Sequence, residues 1–242
     1  QDNTSVEYYC TIFAALESPA QEGLIWAGSD DGLLHITKDG GTTWENVTPD
    51  ILPEWSMINS IEAHPKRPGT LYVAATRYKL GDFRPYLLKT NDFGKTWTAI
   101  NRGIDPAHFT RVIRLDPDRE GLLYAGTESG LYVSFDDGAS WEAFQMNLPI
   151  VPITDMVIKD KNLIVATQGR SIWMIDDLSV IHQAKIGQDL NQNIIFDPMD
   201  AYRMRGGQGR TSLTNGQNHK GGVSLNYYLG SVTDSSVVKL RF

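Results

Sequence analysis

Apolar residues along this chain come in short runs rich in Val, Ile, Leu, Tyr and Thr, and Gly, Asp and Asn punctuate the ends of those runs. Short alternating or continuous apolar runs between such breakers predict β-strands. Little of the stretch from Cys10 to Leu178 carries the 3.6-residue period of an amphipathic helix. The runs recur in a fixed order. GLIWAGSDDGLLHI at 23–36, TLYVAATRYKLGDFRPYLLK at 70–89 and GLLYAGTESGLYV at 121–133 each read as strand, turn, strand. An apolar run ending near a proline stands before each of them: CTIFAALESP, INSIEAHP and RVIRLDP. A box closing on tryptophan follows each: TKDGGTTW at 37–44, TNDFGKTW at 90–97 and SFDDGASW at 134–141. The unit so defined has four strands and a period of about 45 to 50 residues, the range in which propeller blades repeat.

A fourth unit, PITDMVIKD, NLIVATQG and RSIWMIDDL, keeps an acid in 174–178 but lacks the glycine and tryptophan of the box. The pattern predicts an all-β fold of four four-stranded β-propeller blades, at about 10–48, 57–101, 110–146 and 152–178, within a blade region 1–180. Residues 181–222 read as linker and loop, and 223–242 as two strands around a Ser-Asp turn. About three strands with a covered face are needed for independent stability, so this last pair is expected to belong to an incomplete, sandwich-like β domain or to dock on another chain. Propellers close with about four to eight blades and open sheet edges invite pairing, so missing blades on another chain or segment are the expected partners.

The box has a physical reading. An aspartate in the hairpin between the third and fourth strands can accept hydrogen bonds from turn amides, which makes Asp39, Asp92 and Asp136 turn staples. Gly41, Gly94 and Gly138 supply a positive φ, and Thr43, Thr96 and Ser140 bond within the same turn. Trp44, Trp97 and Trp141 open the last strand and are expected to pack between adjacent blades. A catalytic constellation occurs once per site, whereas this box occurs once per blade. It is therefore architecture.

Composition removes several function classes. A chain of 242 residues with 41% hydrophobic content can bury a core. Its formal charge of -7 and the lack of a Lys/Arg block argue against nucleic acid as a partner. No apolar run approaches the roughly 18 residues of a membrane-spanning helix. Cys10 is the single cysteine, so no internal disulfide or thiolate cluster forms. His35, His64, His108, His182 and His219 are scattered without ligand spacing, and neither a metal nor a cofactor is expected. No P-loop or nucleophile elbow is present, and Gly206-Gly207-Gln208-Gly209 lacks the flanking strand and helix of a phosphate cradle.

Candidate chemistry falls on the loops away from the boxes. The 77–86 loop is longer than its counterparts, and loops that outgrow their scaffold tend to carry function. Tyr78, Phe83 and Tyr86 offer stacking faces, and Arg77 and Arg84 offer bidentate donors to a carboxylate. Trp55, Arg102 and Arg170 complete the ligand-binding candidates. Glycoside hydrolysis needs two carboxylates about 5 to 9.5 Å apart, one with a raised pKa, and the acids available to such a pair are Asp30, Asp31, Glu54, Asp82 and Glu128. Each of these acids also serves as an ordinary turn or surface residue.

The [ST]-x-D-x-G-x-[ST]-W box resembles the Asp-box, or BNR repeat, of sialidases, sortilin-type propellers, xyloglucan-cleaving glycoside hydrolases and photosystem assembly propellers. Most of the chain, including RPYLLKTNDFGKTW, VATQGRSIWMIDDLS and FDPMDAYR, is similar to the later blades of large bacterial proteins labelled sortilin-like or BNR-repeat glycosyl hydrolases. The resemblance implies an exported protein with further blades, binding a peptide or glycan on the funnel face. It leaves open a glycoside hydrolase whose carboxylates are partly on missing blades, and a structural component of a surface assembly. It does not extend to sialidase chemistry, since no arginine triad or Tyr-Glu nucleophile pair is found, and Phe83-Arg84-Pro85 is out of place for the arginine motif.

Overall fold

The computed structural model describes residues 10–184, 189, 191–201, 222–230 and 238–239. Four antiparallel sheets follow one another along the chain. The first consists of β1 (Ile12–Glu17), β2 (Ile25–Ser29), β3 (Leu34–Thr37) and β4 (Glu45–Asn46). The second consists of β5 (Met57–Ala63), β6 (Leu71–Arg77), β7 (Asp82–Thr90) and β8 (Thr98–Ala99). The third consists of β9 (Thr110–Leu115), β10 (Leu123–Thr127), β11 (Gly130–Ser134) and β12 (Glu142–Ala143). The fourth holds β13 (Ile153–Lys159), β14 (Asn162–Thr167) and β15 (Ile172–Ile175). Within each sheet the strands pair in chain order, and the first strands of successive sheets lie side by side, β1 against β5, β5 against β9 and β9 against β13. Meandering sheets stacked in this way are β-propeller blades.

The fourth blade has three strands among the described residues rather than the expected four. The cause is local: 174–178 lacks the glycine and tryptophan that turn the chain back into an outer strand. After β15 the chain instead enters a short helix, α1 (Ser179–Gln183), where the Asp177 carboxylate accepts from the Ser179 amide at 2.7 Å.

The chain divides into two compact units, 1–176 and 177–242. In the second unit, β16 (Ile194–Ile195) pairs antiparallel with β17 (Tyr227–Tyr228), so the strand expected near residue 227 finds its partner in a stretch expected to be loop. The Ser-Asp turn at 231–237, Gly206-Gly207-Gln208-Gly209 and His219 lie outside the described residues.

Two apolar clusters join the first three blades. One joins Leu24, Trp26, Leu34, Ile36 and Val47 of the first sheet to Ile58, Ile61, Leu71, Val73 and Leu88 of the second. The other joins Tyr72, Leu87 and Ile100 of the second to Ile113, Leu115, Leu123, Tyr132 and Trp141 of the third. Each strand thus sends alternate residues into the interface on either side, as the period of two requires.

The repeated box builds the same turn three times. Thr43 donates its amide to Asp39 Oδ1 at 2.9 Å and its hydroxyl to Oδ2 at 2.6 Å; Thr96 does the same to Asp92 at 2.9 and 2.6 Å. Ser140 repeats the pair on Asp136. The first residue of each box closes the other side: Thr37, Thr90 and Ser134 donate a hydroxyl to the same aspartate and accept from the Gly41, Gly94 and Gly138 amides. Those glycines have φ of 94°, 79° and 88°. The Thr43 and Thr96 hydroxyls, with the amides beside them, hold Asp39 and Asp92 at about 2 against an ordinary 3.8. Burial pushes Asp136 the other way, but the Ser140 and Ser134 bonds outweigh it and its pKa is also lowered.

The tryptophans do not share one environment. Trp97 donates its indole N–H to the Val47 carbonyl of the preceding sheet at 3.0 Å, and Trp141 donates to the Ile100 carbonyl in the same way. Trp141 is 3% exposed, whereas Trp44 is 46% exposed, so the expected packing between blades holds for the second and third boxes only. Two outcomes are expected in urea unfolding of this chain. Trp141→Ala costs about 3–5 kcal/mol, as for other large buried aromatics, while Trp44→Ala stays within about 0.5 kcal/mol, as for a surface position. Asp92→Ala lowers stability at neutral pH. Because the folded pKa of Asp92 lies below its unfolded value, the contribution is complete above about pH 4 and disappears as pH falls through about 2. The Asp92→Ala and parent unfolding midpoints should therefore converge in acid, and a constant gap would contradict the staple role.

Candidate functional site

Two polar clusters lie away from the box turns. The first is built by the 77–86 segment. A single 3-10 turn at Tyr78–Leu80 ends on Gly81 at φ 75°, and this brings Asp82 back against the base of the loop. The Asp82 carboxylate accepts from Arg84 Nε at 2.9 Å and Nη2 at 2.7 Å, and from the Tyr86 hydroxyl at 2.6 Å; Arg77 Nη1 lies 3.7 Å away. The Arg84 bonds hold Asp82 well below the usual carboxylate range, and burial with the Asp82 bond pushes Tyr86 up to about 12. Arg77 Nε also donates to the Glu54 carbonyl at 3.0 Å. Beside this network Tyr78 stacks on Phe109 at 5.0 Å, and Phe83 tilts against the same ring at 6.1 Å. Arg111 lies over both Tyr78 and Phe109 and binds Glu128 at 2.6 Å. Asp30, Trp55, Met57, Thr76, Arg77, Tyr78, Lys79 and Leu80 line a cleft of about 100 Å³. Trp55 and Phe83 remain 54% and 52% exposed.

The structure thus gathers Asp30, Trp55, Arg77, Tyr78, Asp82, Phe83, Arg84, Tyr86 and Glu128 around one rim and pairs off most of their charges. Asp30 accepts from the Thr11 amide at 2.9 Å. Asp31 is bonded by Ser29 and Cys10, whose bonds outweigh its partial burial and lower its pKa. Glu54 is exposed and meets Arg77 through its carbonyl. Arg102 lies apart from the rim, at the third box, where Nε donates to the Ala139 carbonyl at 3.0 Å. Arg170 is an exposed residue of the fourth blade whose carbonyl accepts from Trp173. Neither Asp31 nor Asp82 has the raised pKa of a general acid.

That property belongs to a residue outside the candidate set. The innermost strands β1, β5, β9 and β13 border a second cleft of about 520 Å³, lined by Asn59, Ser60, Glu62, Arg111, Arg114 and Asp155 among others. Arg114 is its hub, donating to Asp155 Oδ1 at 2.7 Å, Ser60 Oγ at 2.7 Å and the Met156 carbonyl at 2.8 Å, with Glu62 Oε2 3.8 Å away. Burial pushes Glu62 up to about 7; Arg114 and the Leu115 amide oppose that rise and Asp155 adds to it. Burial thus favours the protonated form of Glu62, the direction that a proton donor requires. The sequence signal for this cluster was a charged residue inside an apolar strand, in INSIEAHP and RVIRLDP, and reading these runs as core strands passed over it.

No protein-family model matches the chain. A probable oligoxyloglucan-reducing end-specific xyloglucanase of Neosartorya fischeri is 26% identical over 184 residues, covering 52% of this chain and 22% of that protein. Among solved structures, YCF48 bound to D1 peptide is similar with a TM-score of 0.52 and 20% identity, over 69% of this chain and 52% of that one. A GH74 xyloglucanase from Xanthomonas campestris is similar with a TM-score of 0.53 and 21% identity, over 69% of this chain and 29% of that one. The chain thus spans about a fifth of the curated relative's length, and the likenesses to solved structures confirm the propeller fold alone. Among the described residues no helix is long and apolar enough to cross a membrane.

The raised Glu62 pKa sets an expectation for pH dependence. The unfolded pKa is 4.5 and the folded one about 7, so the folded state binds the proton more tightly. Stability tied to this group is complete below about pH 4.5 and is lost as pH rises through 7. Glu62→Gln should remove that loss, raising Tm at pH 8 relative to the parent more than at pH 4. An equal change at both pH values would place Glu62 in an ordinary solvated setting.

Proposed function

We propose that this chain is part of a larger exported propeller of the sortilin-like, Asp-box (BNR-repeat) kind, and that it recognises a peptide or glycan on the rim formed by Trp55, Tyr78 and Phe83. The observation that carries the reading is the exposure of Trp55 and Phe83 beside a network that fixes its own charges. With Arg84 bound to Asp82 and Arg111 bound to Glu128, the arginines position rings rather than wait for a ligand carboxylate. Large aromatic faces presented at a surface suit stacking on a pyranose ring or an apolar peptide side chain. The peptide-bound YCF48 and the xyloglucan-acting relatives share this fold and supply the two ligand classes to test. Export rests on the resemblance of the repeats to exported Asp-box proteins.

A second reading, glycoside hydrolysis, draws on Glu62, whose protonated carboxyl beside Asp155 and Arg114 meets the requirement for an acid in a polar cleft. The two readings separate in one set of titrations with xyloglucan oligosaccharides and unstructured peptides. On the recognition reading, Phe83→Ala weakens binding about tenfold, equivalent to about 1.4 kcal/mol, and Glu62→Gln leaves binding unchanged with no turnover in either protein. Hydrolysis of the oligosaccharide by the parent, lost in Glu62→Gln, would replace recognition with catalysis.

A further inference from the structure

We infer that the open face of the first sheet, centred on Trp44 and Gly41, docks one further blade whose outer strand places a Val or Ile against Gly41 and offers that residue's carbonyl to the Trp44 indole. The inference rests on the reading of this chain as part of a larger propeller, and it specifies which surface is used and what chemistry fits it.

Both internal interfaces define the fit. A Cβ added at Gly94 would stand 2.7 Å from Val47 Cβ, and one added at Gly138 would stand 2.8 Å from Ile100 Cδ1. Val47 and Ile100 each sit three residues after the tryptophan of their own box, and each gives its carbonyl to the indole of the next blade, Trp97 and Trp141 respectively. One aliphatic residue thus fills the space that the glycine leaves and satisfies the indole N–H.

At the first box both places stand open. Among the described residues, a Cβ on Gly41 would meet nothing nearer than its own Trp44 ring at 4.0 Å, and the Trp44 indole has no carbonyl partner. Register extends the comparison. Ile25 pairs with Thr37 at the start of its box, as Leu71 pairs with Thr90 and Leu123 with Ser134. Leu71 and Leu123 are fully buried beneath the preceding sheet, whereas Ile25 is half-buried. Three positions on this one face therefore lack the cover that their counterparts have.

A second copy of this chain does not supply the missing residue. Val47 and Ile100 are already buried under the boxes that follow them, and the fourth sheet ends at β15 without an outer strand among the described residues. The occupant is a four-stranded blade with its own outer strand, carrying Val or Ile three residues beyond its box tryptophan.

Oxidative footprinting with peptide mass spectrometry, on the isolated chain and on the protein purified from its source, tests this. In the isolated chain Trp44 should react readily while Trp97 and Trp141 are protected; in the source protein Trp44 should lose its reactivity and join them. A photo-crosslinking p-benzoylphenylalanine at position 44 in the source protein should then capture an outer-strand peptide from a blade other than these four. Trp44 reactivity that is unchanged in the source protein, or a crosslink to a second copy of this chain, overturns the inference. Trp97 and Trp141 as reactive as Trp44 in the isolated chain would instead overturn the stacked-blade reading beneath it.

Discussion

The blade stack depends on a contact between neighbouring sheets in which a glycine removes a side chain so that an aliphatic residue of the preceding blade can reach the turn, and a tryptophan takes that residue's carbonyl. Val47 meets Gly94 and Trp97; Ile100 meets Gly138 and Trp141. The aspartate of each box does not touch the neighbouring blade in this contact. It holds the turn so that glycine and indole arrive together, by taking up the amide and hydroxyl four residues on. Local hydrogen bonding and packing between blades are thus one device, which explains why all the residues of the box travel together and why the fourth unit, lacking glycine and tryptophan, has no outer strand among the described residues.

This device joins the first three blades and the fourth stacks without it; the first strands of all four lie next to one another, and that placement makes the inner cleft. Glu62 on β5, Arg114 on β9 and Asp155 on β13 come from three blades and meet only because the interfaces align them. The rim forms by another route. There one loop is long enough to fold on itself through Asp82, Arg84 and Tyr86 and to press Tyr78 against Phe109 of the next blade. Both clusters are preorganised, but burial raises Glu62 in the inner one to about 7 while the Arg84 bonds hold Asp82 on the rim well below the usual carboxylate range, so they suit different chemistry.

The repeat was legible in the sequence because its signals are local: spacing, turn residues and the alternation of apolar positions. The aspartate staples and the positive-φ glycines followed from the box itself, and the box residues were enough to place them. Phe83 stood out because it lies in an overlong loop and Trp55 because it lies in the segment joining the first two units; that both stay exposed is what the structure adds. What escaped were properties that depend on distance between blades. Arg102 looked like a rim residue from its place between two units, yet its guanidinium reaches the turn of the following box. Glu62 and Arg114 looked like strand residues, and only the meeting of three inner strands gives them a shared cleft. The unequal burial of Trp44 and Trp141 was likewise invisible, since the two boxes are equivalent by sequence and differ only in what stands before them.

The central claim, that the box glycine exists to admit the aliphatic residue of the preceding blade, is tested most directly by a double-mutant cycle between Val47→Ala and Gly94→Ala, read by urea unfolding. Gly94→Ala alone should destabilise by about 1–3 kcal/mol through overpacking, and truncating Val47 should relieve part of that cost, giving a coupling of about 1 kcal/mol or more. Additivity within about 0.3–0.5 kcal/mol would show that the two positions do not meet, and the account of the stack would fail with it.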